Sequence, residues 1–142
     1  MKTIVYSKDA FVNAMKTRNI DDTNVSFLAE YFICIDPTSG LHARRYFFRD
    51  HVNVIRLEFD DCVEDTIKWG EDIQEHYNAR AMTRSQAEIL VKFIKQMPVE
   101  SIINIYCTKG KSRSVAVESF INSAENGNPH VLKLLREVWT GK

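Results

Sequence analysis

What this chain has little of narrows the field before any motif is read. No apolar run approaches the roughly 20 residues that a bilayer-spanning helix needs. The N-terminal MKTIVYSKDAF has neither the apolar stretch nor the small-residue cleavage site of a secretory signal. Cysteine is scarce: Cys34, Cys62 and Cys107 make an odd count of three, which speaks against a disulfide framework and for a reducing compartment. A cytoplasmic location is the expectation. Five glycines and three prolines are too few for a low-complexity or fibrous chain. Neither sign of charge is in excess, with 19 basic and 19 acidic residues, which argues against a dedicated nucleic-acid coat but leaves room for a local basic pocket. The four histidines, His42, His51, His76 and His130, show no metal-ligand spacing.

What is present has the make-up of a globular chain, 44% hydrophobic and 27% charged. No repeat or linker divides it, so residues 1–142 read as a single domain. Lys2–Tyr6 reads as a strand, after which Ser7 caps a helix from about Lys8 to Thr17 with Phe11, Val12 and Met15 inward. Phe27–Ile35 reads as a second strand. Asn53–Phe59 alternates, with Ile55, Leu57 and Phe59 on one face. From Asp60 to Met82 runs a polar stretch with seven acidic residues before Tyr77 and only Lys68 to balance them. That length suggests a lid or binding loop. Thr83 and Gln86 form a capping box for a helix burying Ala87, Leu90, Val91, Ile94 and Met97, with Pro98 at its end. Ser101–Tyr106 reads as a buried central strand. Helical period returns after Arg113, with Val115, Ala116, Phe120, Ile121 and Ala124 inward. Gly127 is expected to end that helix, and Asn128 and Pro129 to start a last one. The mixture gives an α/β fold of three layers, α/β/α, around a central, largely parallel sheet.

The chemistry concentrates in YCTKGKSRSV, Tyr106 to Val115. A loop at the carboxyl end of a buried strand, leading into a helix, can point successive N–H groups at one anion, and the helix N-terminus adds about half a positive charge there. Gly110 gives the backbone freedom that such a wrap requires. Arg113 offers a planar fork for two phosphate oxygens. Cys107 stands at the mouth of this positive cradle, where a thiol is activated as a nucleophile.

These residues resemble the H-C-x-x-G-x-x-R-[ST] signature of the protein tyrosine and dual-specificity phosphatase superfamily, in a small bacterial- or phage-type form. Cys107, Gly110, Arg113 and Ser114 match it, and VIRLEFDD, Val54 to Asp61, resembles the strand and acid-loop entry of its small members. The likeness spans roughly residues 30–125. It implies a phosphatase-like domain that hydrolyses phosphate monoesters through a cysteinyl-phosphate, without metal or other cofactor, on a phosphoprotein or a polyanionic phosphate ester. Cys107 is then the nucleophile and Arg113 the phosphate ligand, and Ser114 hydrogen-bonds the departing thiolate. Thr108, Lys109, Gly110, Lys111 and Ser112 line the substrate. The general acid falls on Asp61, with Asp60 second and Asp72 third. Cys62, beside the acid, could pair with Cys107 on oxidation, as in some relatives.

One position departs from the signature: Tyr106 stands where the family has histidine. Lys109 and Lys111 could restore positive field, and they suggest a substrate of higher charge, such as a phosphoinositide, a nucleotide or an RNA 5′ phosphate. The competing reading is a phosphate-binding pseudophosphatase without turnover. A Walker A loop would need glycine where Ile105 stands. Low-molecular-weight phosphatases carry the Cys-to-Arg spacing at the chain start, and a rhodanese-like phosphatase is a remaining minor alternative. Tyr46, Phe47 and Phe48 read as packing. His42, Arg44, Arg45 and Arg49 near them could touch substrate.

Overall fold

The computed structural model describes residues 1–40, 43–69 and 78–141. Four parallel strands form the central sheet in the order β1-β6-β2-β3: β1 Lys2–Ser7, β2 Glu30–Asp36, β3 Val54–Glu58 and β6 Ile102–Cys107. The helices α1 Lys8–Thr17, α2 Arg84–Lys95, α3 Arg113–Asn122 and α4 Pro129–Trp139 cover it. Strand alternation decides which layer each residue joins. Ile103 and Ile105 of β6, Ile33 and Ile35 of β2, and Ile55 and Leu57 of β3 face the cluster built by α2, α3 and α4. Phe32, Cys34, Val54 and Tyr106 face the opposite cluster, with Phe11 and Met15 of α1 and Phe47. The architecture is therefore the expected three-layer α/β/α arrangement. Among the described residues no helix is long and apolar enough to cross a membrane.

Local signals fixed several helix starts. The Ser7 side chain accepts from Ala10 N at 3.2 Å. Thr83 and Gln86 close their capping box in both directions, at 3.0 and 3.1 Å. Asn128 caps α4 with Pro129 in its first turn.

Four expectations shift. Phe27 is 85% exposed in a 3-10 turn, and the strand begins three residues later at Glu30. The acidic stretch contains an antiparallel hairpin, β4 Cys62–Glu64 with β5 Ile67–Lys68. In α3 the buried positions include Arg113, Ala116 and Val117, not Val115. The loop draws the Arg113 side chain inward, and the positions three and four residues on follow it. That helix ends at Asn122, with Ser123 as its left-handed cap at φ 59°. Gly127 has another task. A Cβ there would lie 2.3 Å from Ala116 N and 2.6 Å from Ser112 O, so only glycine lets this segment press against the start of α3.

Candidate active site

Parallel strands deliver their carboxyl ends to one edge of the sheet, where open α/β folds place their sites. Ser7 lies in register with Cys107, and Asp36 with Glu58. The loop 107–113 leaves this edge between β6 and α3. Its floor is the end of β1: a Cβ on Gly110 would fall 2.7 Å from Ser7 N and Tyr6 C, and its φ is +69°. Lys8 N donates to Thr108 O at 3.1 Å, tying α1 to the same turn.

Within the loop, Cys107 Sγ lies 3.0 Å from Ser114 Oγ, both side chains buried. The Arg113 guanidinium is also buried. It donates through one terminal nitrogen to Phe59 O at 2.9 Å and through the other to Thr108 Oγ1 at 3.0 Å. The loop arginine is thus held to the end of β3, where the acidic segment begins. Ser112 Oγ donates to Asp61 Oδ1 at 2.8 Å. Lys109 and Lys111 are exposed.

The two adjacent carboxylates have different surroundings. Asp60 accepts from Thr38 N at 3.0 Å, Thr38 Oγ1 at 2.6 Å and Arg80 N at 2.8 Å, which makes it a clamp between the turn after β2 and the entry to α2. Asp61 meets the loop through Ser112. Asp72 and His76, like His42, lie outside the described residues.

Sequence reasoning missed the residue that joins these parts. Asn128 is fully buried, and its Oδ1 accepts from His130 N and Val131 N as the cap of α4. Its Nδ2 donates to Asp61 Oδ1 at 2.6 Å and to Cys62 O at 3.1 Å, and its backbone N–H donates to Ser112 O at 3.1 Å. One side chain therefore fixes a helix, the acidic segment and the loop together. The Asn-Pro pair signalled the cap, but nothing local signalled the other face.

A second missed group lies beneath the loop. The Tyr106 hydroxyl donates to Asp36 Oδ2 at 2.8 Å, and Lys8 Nζ pairs with Asp36 Oδ1 and donates to Arg44 O. The ammonium also lies 5.0 Å from the Tyr106 ring centroid, a cation–π distance. Burial raises the Asp36 carboxyl, against the pull of Lys8 and Tyr106, and burial also drives the Tyr106 hydroxyl far upward. Tyr106 is accordingly a neutral donor that braces the strand against α1.

All three cysteines are buried, and none is in a disulfide. The Cys62 thiol is pushed up to about 11, chiefly by burial and then by Asp60, Asp61 and Asp65. Cys34 is raised well above the ordinary thiol range by burial. His51 pairs with Asp22 Oδ1 at 2.7 Å, and the His130 ring contacts Met82 O at 2.8 Å, so both have structural partners. No family model, curated protein or solved structure matches this chain.

Proposed function

We propose that this protein is a cysteine-dependent phosphatase, acting in the cytoplasm on phosphate monoesters. The observation that carries the reading is the 3.0 Å approach of Cys107 Sγ to Ser114 Oγ, in a strand–loop–helix turn that also buries Arg113. In the first step the Cys107 thiolate attacks phosphorus, an S–P bond forms and the ester P–O bond breaks. Asp61 gives its proton to the leaving oxygen. In the second step water attacks phosphorus and returns a proton to Asp61. The S–P bond then breaks, inorganic phosphate leaves, and the departing thiolate accepts a hydrogen bond from Ser114 Oγ. Arg113 serves both steps by donating to the equatorial phosphoryl oxygens, where charge is held through the transition state.

Asp61 Oδ1 accepts from Ser112 Oγ and Asn128 Nδ2, which hold this carboxyl group beside the loop. Asp61 is favoured over Asp60 because it accepts from Ser112 of the loop, whereas Asp60 accepts from Thr38 and from Arg80 N.

A second reading, phosphate binding without turnover, is favoured by Tyr106, whose hydroxyl is committed to Asp36 and supplies no ionisable base beside Cys107. Aryl phosphate hydrolysis separates the two. Wild type should turn over, Cys107→Ser should not, and Arg113→Lys should lose about 100-fold or more in kcat/KM. Phosphate binding with no hydrolysis by wild type would overturn the enzyme reading in favour of the binding one.

A further inference from the structure

A cleft of about 620 Å³ opens between α1 and the 44–48 segment. Lys8, Lys16, Arg44, Arg45, Tyr46 and Phe48 line it. Lys8, in its lining, is tied to the Cys107 loop: its backbone N–H donates to Thr108 O, and Gly110 rests on Tyr6 and Ser7 just before it. Lys16, also in the lining, lies two turns along α1 and about 12 Å from Lys8 at the helical rise. Lys8 and Arg45 are paired with Asp36 and Glu58. Lys16 and Arg44 are exposed and have no ion pair among the described residues. Asp9 is the single acid among the described residues of the lining.

The aromatic run in this wall is only partly packing. Phe47 is buried, but Phe48 is 79% exposed. Tyr46 is half-buried and its hydroxyl bonds the Ile20 carbonyl, which fixes its ring. Cations on both walls, with rings on the 44–48 wall, suit a ligand that carries several anionic groups and planar bases. A lone phosphomonoester would use none of this. The concave shape also suits an inserted strand better than a flat lipid surface.

We infer that this cleft binds the nucleotides that follow the terminal phosphate of a 5′-phosphorylated single strand, while that phosphate seats in the Cys107 loop. At roughly 3.4 Å or more per nucleotide, the 12 Å run accommodates two to three further phosphates. The inference rests on the phosphatase reading only for the terminal phosphate.

The test uses the full chain carrying Cys107→Ser and a four-nucleotide DNA or RNA labelled at its 3′ end, read by fluorescence anisotropy. Lys16→Glu with Arg44→Glu should weaken binding at least tenfold and flatten the salt dependence by about 0.7 log unit per cation lost. Phe48→Ala should weaken it about tenfold through lost stacking. Circular dichroism checks that these exposed substitutions leave the fold intact. Unchanged affinity in both variants overturns the inference, as does wild-type binding to phosphoinositide vesicles but not to the oligonucleotide. Cleft-dependent binding that is equally tight for a 5′-hydroxyl strand supports the cleft and refutes the terminal phosphate's seat in the loop. Aryl phosphate hydrolysis without cleft-dependent binding refutes the cleft alone.

Discussion

Replacing Asn128 by serine tests whether this side chain is what holds Asp61 to the loop. Serine is as good a helix cap as asparagine, so the bonds to His130 N and Val131 N can be kept. Its hydroxyl is too short to reach Asp61 Oδ1 and Cys62 O, which Asn128 Nδ2 now reaches at 2.6 and 3.1 Å. A hydrogen bond to a charged acceptor contributes about 1.5–3 kcal/mol, and the buried Cys62 carbonyl loses a donor as well. Asn128→Ser should therefore cost about 2–3 kcal/mol, and Asn128→Ala about 1 kcal/mol more for the lost cap. Urea unfolding reads this directly: at a slope of roughly 1.5 kcal/mol per molar, the serine variant's midpoint falls by about 1.5 M. Catalysis supplies a second readout. If Asp61 is misplaced, poor leaving groups should suffer more than p-nitrophenolate, because only they need a proton from the enzyme. The double variant Asp61→Asn, Asn128→Ser should be little slower than Asp61→Asn alone. A serine variant within about 0.5 kcal/mol of wild type, or equal losses on good and poor leaving groups, would refute the reasoning.

Gly110→Ala should abolish measurable phosphate binding and destabilise the fold by more than about 2 kcal/mol, since the new methyl meets β1 backbone at a positive φ; calorimetric titration with inorganic phosphate and urea unfolding check both. Tyr106→Phe removes the donor to Asp36 and should cost about 1.5–3 kcal/mol at pH 7. That bond is made to the carboxylate, and burial already raises Asp36, so the cost should shrink as pH falls through the Asp36 titration; a pH-independent cost would count against it. Cys62, raised in the fold to about 11 from 9.0, binds its proton more tightly folded than unfolded. Its contribution is complete below about pH 9 and is lost as pH rises through about 11, so Cys62→Ala should flatten the alkaline fall of stability in that window. Identical profiles for the variant and wild type would contradict the assignment.

How much was legible in the sequence follows from how far apart the determinants lie. The capping box at Thr83 and the Asn-Pro start of α4 are decided within three residues, and both were readable. Cys107 to Ser114 was readable for the same reason, as a spacing. The β4–β5 hairpin was not, because its strands are only three and two residues long and its position depends on bonds such as Thr66 N to Ala79 O and Trp69 N to Asp61 O. Val115 and Val117 are equally apolar, and only the inward pull on Arg113 chooses between them. The Asn128–Asp61 contact joins residues 67 apart, and Tyr106 reaches Asp36 across 70. No periodicity encodes such meetings, since they exist only once the sheet has gathered its carboxyl ends.

The place of β6 has a consequence for how the protein acquires its site. This strand lies between β1 and β2, and among the described residues β1 has no other neighbour in the sheet. Lys2 pairs opposite Ile102, so the first strand waits for about a hundred residues of chain to be closed into a loop. Such contact order predicts slow folding. It also means that the loop after β6 is organised only when the sheet is whole. An anion seated there binds the assembled sheet and no earlier form, and at 100 times its Kd it would stabilise the entire fold by about 2.7 kcal/mol. Ligand occupancy and sheet assembly are then one equilibrium, and thermal unfolding with graded phosphate would report the site's affinity from strands that never touch the ligand.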